Sequence, residues 1–407
     1  FVETLARDYA TLPGKATKTL ADEIKAAADA SDEPVTVATR GATASRARSS
    51  GGAEPAKAAA KSPRLVLSMA PFDCDSIPPE RRYLVRGSRN ELVANLTRFR
   101  EWTVRDMPGR PTSHEPPDEF QLLAEILPLS DGARLSWSLR DGASDRYVWG
   151  GGIDLTTVDW GKTQQQTVSM IASGMNVHIS AGRLAQIGRR STNDLIAYDM
   201  WLRGQTEHLT HEPKGLEQGD KLYREIIKTH PNFAPAYSSL AQLQNVAHFV
   251  HPGMFRTRER TDEALQFARK AVELDPMDSR SQLCLGWAHA MAGHHDQAAV
   301  HHQLAVELND CDPWTLVSAA LGFALRSETA MARELAKRAA VLSLSPTGTQ
   351  WRYQAMIRYL NGDYDDCLQA ASEAEVSIQN VLAWKAACLV RLGKYGEADK
   401  AADRFIG

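Results

Sequence analysis

Four histidines fall within the stretch GHHDQAAVHHQLAVELND: His294, His295, His301 and His302. Imidazoles are common donors to borderline metal ions, so metal binding is the first chemistry this stretch could do. Side chains on one helix reach a common ion when they are three or four residues apart, because only those share a face. His294 and His301, like His295 and His302, are seven apart. That is about two helical turns, or ~10 Å, too far for one ion. The four read as solvated or packing histidines, and no metal site is expected.

Two segments imitate a nucleotide loop, GKATKT (Gly14–Thr19) and WGKT (Trp160–Thr163). A phosphate cradle needs GxxxxGK[ST], where the first glycine lets the backbone wrap the phosphates. Thr156 and Tyr9 occupy that first position, and Ala16 follows Lys15, so both fail. The sequence also lacks GxSxG, HExxH and DxDxDG. Asp365 and Asp366 open a helix, where negative charge suits the N-terminal dipole without any catalytic role. Trp137, Trp149 and Trp160 read as core aromatics, and TRERTDEALQFARK as a solvated helix face. No catalytic residue, cofactor or metal is expected, and the chain reads as a non-enzyme.

Composition sets the frame for these residues. With 43% hydrophobic and 24% charged residues the 407-residue chain resembles an ordinary globular protein of two or three domains. A net charge of −3 gives no field to attract nucleic acid or an anionic membrane. No apolar run approaches the ~20 residues of a membrane helix. The cysteines (Cys74, Cys284, Cys311, Cys367, Cys388) are scattered and never CxxC, so they read as small buried hydrophobes in a reducing, cytoplasmic setting. Starting at Phe1 and ending on DRFIG, the chain is expected to be a fragment of a longer one.

Residues 1–30 are helical in pattern, broken at LPGK, with Leu20 and Ile24 on one face. Residues 31–63 contain no aromatic, Leu, Ile or Met and read as a disordered linker, because they cannot bury enough surface to offset their ordering entropy. From Arg64 the pattern is strand (RLVLSMAPF), helix (SRNELVANLTRF, with Ser88 as N-cap), strand (REWTVRDM). Three strands follow at 120–129, 133–141 and 146–155, joined by SDG and DGASD, with Leu135, Trp137 and Leu139 on one side. Gly150–Gly152 reads as a bulge or bend, and a helix over 163–187 closes the unit. This predicts a small α/β domain, βαβ plus antiparallel meander, over 64–190.

From 191 to 407 helix pairs take over. EALQFARKAVELDP is echoed thirty-four residues later by DQAAVHHQLAVELND, aligning Ala264 with Ala298 and Ala271 with Ala305. Gly293, Gly362 and Gly393 precede second helices, and Pro231, Pro276 and Pro346 follow them. Residues 243–260 read as an inserted loop, and Asp310 stands where a proline is expected. With Tyr237, Leu240, Ala241, Leu285, Gly286, Ala398 and Ala402 these residues resemble the tetratricopeptide repeat, in four or five units.

The segment before the repeats is similar to the TolB-like domain of bacterial regulators, on the strength of RLVLSMAPF and the meander. Residues 1–27 (Leu12, Pro13, Thr19, Leu20, Glu23, Ile24) are similar to the tail of a bacterial transcriptional activator domain. The fold expected is therefore an α+β multi-domain chain, a TolB-like α/β domain followed by an all-α tetratricopeptide superhelix. The resemblance implies a regulator of transcription or signalling. A protein or peptide partner would lie in the repeat groove, DNA would be reached only through an upstream domain, no membrane is involved, and a homodimer is compatible. By register the groove residues are Gln242, Asn245, Arg280, Trp287, Arg352 and Arg391. Arginine and tryptophan suit contact hot spots, and the arginines suit a carboxylate-bearing peptide. The competing readings are the C-terminal part of a class III nucleotide cyclase and a stand-alone repeat adaptor.

Overall fold

A computed structural model describes residues 65–73, 75, 79, 82–100, 102–107, 119–130, 132–142, 144–156, 170–172, 174–175, 179–180, 196–250, 257–343, 346–374 and 380–406. All of these belong to one compact unit, Ala60–Gly407. The expectations for 1–30 and 31–63, both GK-T segments, Trp160 and Cys74 fall outside the described residues.

Five strands form one mixed sheet: β1 (Leu65–Met69), β2 (Trp102–Asp106), β3 (Glu119–Leu129), β4 (Gly132–Asp141) and β5 (Arg146–Thr156). Their spatial order is β2-β1-β3-β4-β5. β1 runs parallel to β2 and β3, and β3, β4 and β5 are antiparallel neighbours. The expected βαβ start is present, with helix α1 (Arg82–Leu96) between β1 and β2. α1 begins six residues before Ser88, which is therefore interior and not the N-cap. Val85 explains this: it is buried in the core together with Leu92 and Leu96, so helix extends that face by two turns.

Leu67, Phe120, Leu122, Leu135 and Leu139 share a core with α1 and with helical residues Ile171, Ala172, Met175 and Ile179. The latter lie where the closing helix was expected. On the other face Ser68, Glu119 and Gln121 are buried polar residues. Ser68 and Arg105 both donate to Glu119, and Arg140 Nη1 donates to Gln121 Oε1 at 3.0 Å.

The Gly150–Gly152 run is not the bulge. The register shift lies between Leu139 and Arg140, while Gly150, Gly151 and Gly152 pair regularly with Ser138, Trp137 and Ser136. A Cβ on Gly151 would stand 2.7 Å from Trp137 Cζ2. The glycine lets an indole lie across the neighbouring strand, within 5.7 Å of the Trp149 ring.

Beyond the sheet come six helical hairpins among the described residues, more than the four or five expected. They are α2 (Ala197–His208) with α3 (Pro213–Thr229), α4 (Ala234–Val250) with α5 (Arg258–Leu274), and α6 (Ser279–Met291) with α7 (His295–Leu308). Then follow α8 (Pro313–Leu325) with α9 (Thr329–Leu342), α10 (Gly348–Leu360) with α11 (Tyr364–Ala374), and α12 (Val381–Arg391) with α13 (Tyr395–Ile406). α4 runs to Val250 and α5 begins at Arg258, so 243–250 and 258–260 of the expected loop are helical. Leu240 and Leu243 explain the extension, since both are buried in the core shared with the sheet.

Repeated local chemistry sets the hairpins. Asp278 and Asp312, thirty-four residues apart, are N-caps of α6 and α8 and accept from the backbone of the first turn. Gly293, Gly362 and Gly393 take φ of +82°, +81° and +73° to end α6, α10 and α12. Ala264, Ala271, Ala298 and Ala305 are buried where helices approach closely. At the last hairpin Ala398 is buried as expected, but it is joined by Ala401, with Ala402 only half-buried.

One expectation about the cysteines is overturned. Cys367 on α11 and Cys388 on α12 form a disulfide, with Cα atoms 6.6 Å apart. Hairpin stacking brings together residues that sequence spacing keeps 21 apart. Cys284 and Cys311 are buried free thiols, as expected of small hydrophobes. No helix among the described residues is long and apolar enough to cross a membrane.

Candidate functional site

The first helices of four successive hairpins, α4, α6, α8 and α10, converge on one small cavity of about 20 Å³. Gln242, Asn245 and Trp287, three of the six expected groove residues, line it together with Trp314, Ser318 and Tyr353. Such a volume holds about one water molecule, so this part of the groove is closed. Trp287 is buried, donates from Nε1 to Ser318 Oγ at 2.8 Å, and packs on the His302 ring at 5.1 Å. Asn245 Nδ2 donates to the Cys284 carbonyl at 3.3 Å. Burial pushes the Cys284 thiol up to about 12, so it stays protonated.

The other three lie apart. Arg280 borders a second small cavity that it shares with Gln242, faces Asp312 at 3.8 Å, and stands over the Trp201 ring at 5.9 Å. Arg352 has no exposed surface, and its guanidinium nitrogens have no acceptor among the described residues. It packs over the Tyr353 ring at 5.1 Å. Burial lowers its ionisation, and the Tyr353 hydroxyl partly offsets this without meeting hydrogen-bond geometry. Arg391 is exposed and stands over the Tyr364 ring at 5.7 Å. Tyr364 in turn meets Tyr359 at 5.7 Å, and Tyr359 meets Trp384 at 5.5 Å. Contacts with Tyr359 and then Tyr364 raise the Arg391 ionisation further, so it is a permanent cation.

A contact across the array narrows the groove. His211, in the turn between α2 and α3, bonds through Nε2 to Thr349 Oγ1 of α10 at 2.9 Å. Met170, ahead of the repeats, packs on the cluster that contains Trp287, Tyr353 and Met356. Register alone could not find these contacts, because they join the first hairpin to the fifth and a preceding helix to the third through fifth.

His294 and His295 are exposed, whereas His301 and His302 pack. His302 is 1% exposed and lies against Gly286 and Gly322. Desolvation, then the charges of His301 and Arg326, hold its ionisation down at about 3. His301 is half-buried and bonds through Nδ1 to Gln282 Oε1 at 2.8 Å. Among the described residues no group of three or more metal-ligating side chains could hold an ion.

The α/β domain grips the repeats at their outer turns. Arg100 donates to both carboxylate oxygens of Asp275 at 3.0 and 3.3 Å. Asn309 Nδ2 donates to the Arg98 carbonyl at 3.4 Å, and Arg98 pairs with Asp310. Asp310, in the place of the expected proline, also receives Arg338 Nη2 at 3.0 Å. Tyr198, Trp201, Tyr223 and Leu240 of the first hairpins belong to the same core as the sheet.

The fold is thus a small mixed-sheet domain joined to tetratricopeptide-like helical repeats. No family model and no curated protein matches the chain. Among solved structures it is similar to TTC0263, a thermophilic tetratricopeptide protein of Thermus thermophilus (18% identity, 48% of this chain and 97% of that one, TM-score 0.37). It is also similar to a tetratricopeptide protein of Parabacteroides merdae (10% identity, 61% and 88%, TM-score 0.36). A third is YrrB, a tetratricopeptide protein with an unusual peptide-binding site (15% identity, 45% and 90%, TM-score 0.29). The hairpin geometry of the chain itself, not these scores, carries the description as repeats.

Proposed function

We propose that the chain is a non-enzymatic interaction module whose repeats hold a protein partner at the open, C-terminal end of the groove. The observation that carries this reading is the exposed Arg391 beside the half-buried Tyr364, Tyr359 and Trp384 across the last two hairpins. Arginine and large aromatics dominate contact energy, and a permanent cation suits a carboxylate-bearing peptide. Gln242, Asn245, Arg280, Trp287 and Arg352 would engage a partner only in a form with the His211–Thr349 contact broken. The α/β domain, with its resemblance to TolB-like domains, would pass the bound state to an upstream effector, such as a DNA-binding domain of a transcriptional regulator. The grip of Arg98 and Arg100 on the repeat turns supports this coupling.

Panning a random peptide display library on the full chain tests the site. Enriched peptides should bind the wild type and lose most of their affinity for a Trp384→Ala, Arg391→Ala double variant. Peptides that bind both alike, or no enrichment at all, would remove the site.

A further inference from the structure

The two edges of the sheet are unlike. β2, at one edge, is five residues long and ends in the exposed charges of Arg105 and Asp106. β5, at the other, runs for eleven residues, RYVWGGGIDLT, with no lysine and no proline. Short strands, charge and proline are the usual devices that keep an edge from pairing, and β5 uses almost none of them. Its one irregularity is the register shift near its start, after which Trp149–Thr156 pairs regularly with β4. Gly150, Gly151 and Gly152 are all exposed, and among the described residues no strand pairs with the outer side of β5. Such an edge presents a row of backbone donors and acceptors that another extended strand can satisfy.

The charges say which strand fits. Arg146 stands exposed at one end of β5, and Asp154, which accepts from Arg134 Nη1 at 2.8 Å, stands exposed towards the other. Each is four residues from Gly150. A second β5 laid antiparallel about a two-fold axis at Gly150 sets the Arg146 of each copy against the Asp154 of the other. Parallel addition would set like charge on like. The register shift moves this match by one residue, and diagonal neighbours remain within reach of a side chain as long as arginine. The glycines at the centre present no side chains to collide across the seam.

We propose that two copies of the chain join edge to edge through β5, in one continuous antiparallel sheet. The contact is self-complementary, as a two-fold dimer requires. A seam of one strand pair falls below the ~1,200 Å² of a standard interface, so the dimer forms and dissociates with concentration. It is independent of the peptide site on the last hairpins.

Sedimentation equilibrium of the full chain over a range of concentrations, together with hydrogen exchange of the β5 amides, tests this. A monomer–dimer equilibrium is expected, with amides among Gly150–Ile153 exchanging more slowly as concentration rises. Arg146→Glu and Asp154→Lys, both at exposed positions, should each weaken the dimer roughly 3- to 30-fold, because the symmetry counts each change twice. The double variant exchanges the two charges and should recover most of the wild-type association. The proposal is overturned if the chain stays monomeric, or if its β5 amides are equally protected at every dilution, which would mean that something else covers the edge. It is also overturned if the single variants dimerise like the wild type, or if the double variant dimerises no better than the single ones.

Discussion

His302 lies between two glycines, and the three residues behave as one packing unit. A Cβ at Gly286 would come within 2.5 Å of His302 Cδ2, and one at Gly322 within 2.3 Å of Nδ1. The ring cannot retreat from one helix without striking the other. Gly322→Ala should therefore destabilise the chain by about 1–3 kcal/mol, read as a lower urea midpoint at unchanged slope. His302 and His208 also carry a pH dependence. Both are fully buried, and desolvation depresses their ionisation from 6.5 to about 3 and about 4. Below about pH 6.5 the unfolded chain takes up protons that the folded chain refuses. Stability is thus complete above that pH and is withdrawn as pH falls toward 4, by up to about 1.4 kcal/mol per pH unit for each group. Urea midpoints measured from pH 7 to 4.5 should fall steadily, and a flat profile would show that these rings are not buried neutral.

At the scale of elements, the Cys367–Cys388 disulfide joins the second helix of the fifth hairpin to the first helix of the sixth. The loop it closes is short, so its loss should cost about 3 kcal/mol in the chain-entropy view. Reductant should lower hydrogen-exchange protection in α12 and α13 and leave α4 to α9 unchanged. Equal loss across the whole array would contradict a local role. The elements themselves were largely legible in the sequence. Alternation marked β4, the SDG and DGASD turns set off β3 and β5 on either side of it, and the turn glycines with their flanking prolines marked the hairpins. Local patterns failed where tertiary packing decides. Ser88 looked like a cap because the helix before it is held by Val85 in the core. The glycine run looked like a bulge because nothing local shows the Trp137 indole lying across Gly151. The disulfide was hidden because its cysteines meet only after hairpins stack. Of the residues that register assigns to the groove, Gln242, Asn245 and Trp287 line one cavity. Register could not show that this cavity is closed, because the closing contacts come from residues 170 and 211.

Across the whole molecule, the α/β domain and the repeats are tied by a shared core and by charge pairs. Arg100→Glu should destabilise the chain by repelling Asp275, which is largely buried. A compensating Asp275→Arg should recover part of the loss, on the order of 1 kcal/mol of coupling. Thermal unfolding of the two single variants and the double variant measures this, and strict additivity would mean that the pair contributes nothing. Arg98 and Arg100 sit two residues apart in one turn of the α/β domain, yet they hold Asn309 and Asp275, equivalent positions one repeat apart. That turn works as a caliper set across one step of the array. A chain of stacked hairpins normally flexes like a spring, each link free to change its angle to the next. Here the gauge lies outside the spring, so the step between the second and third hairpins cannot lengthen or twist without dragging the sheet with it.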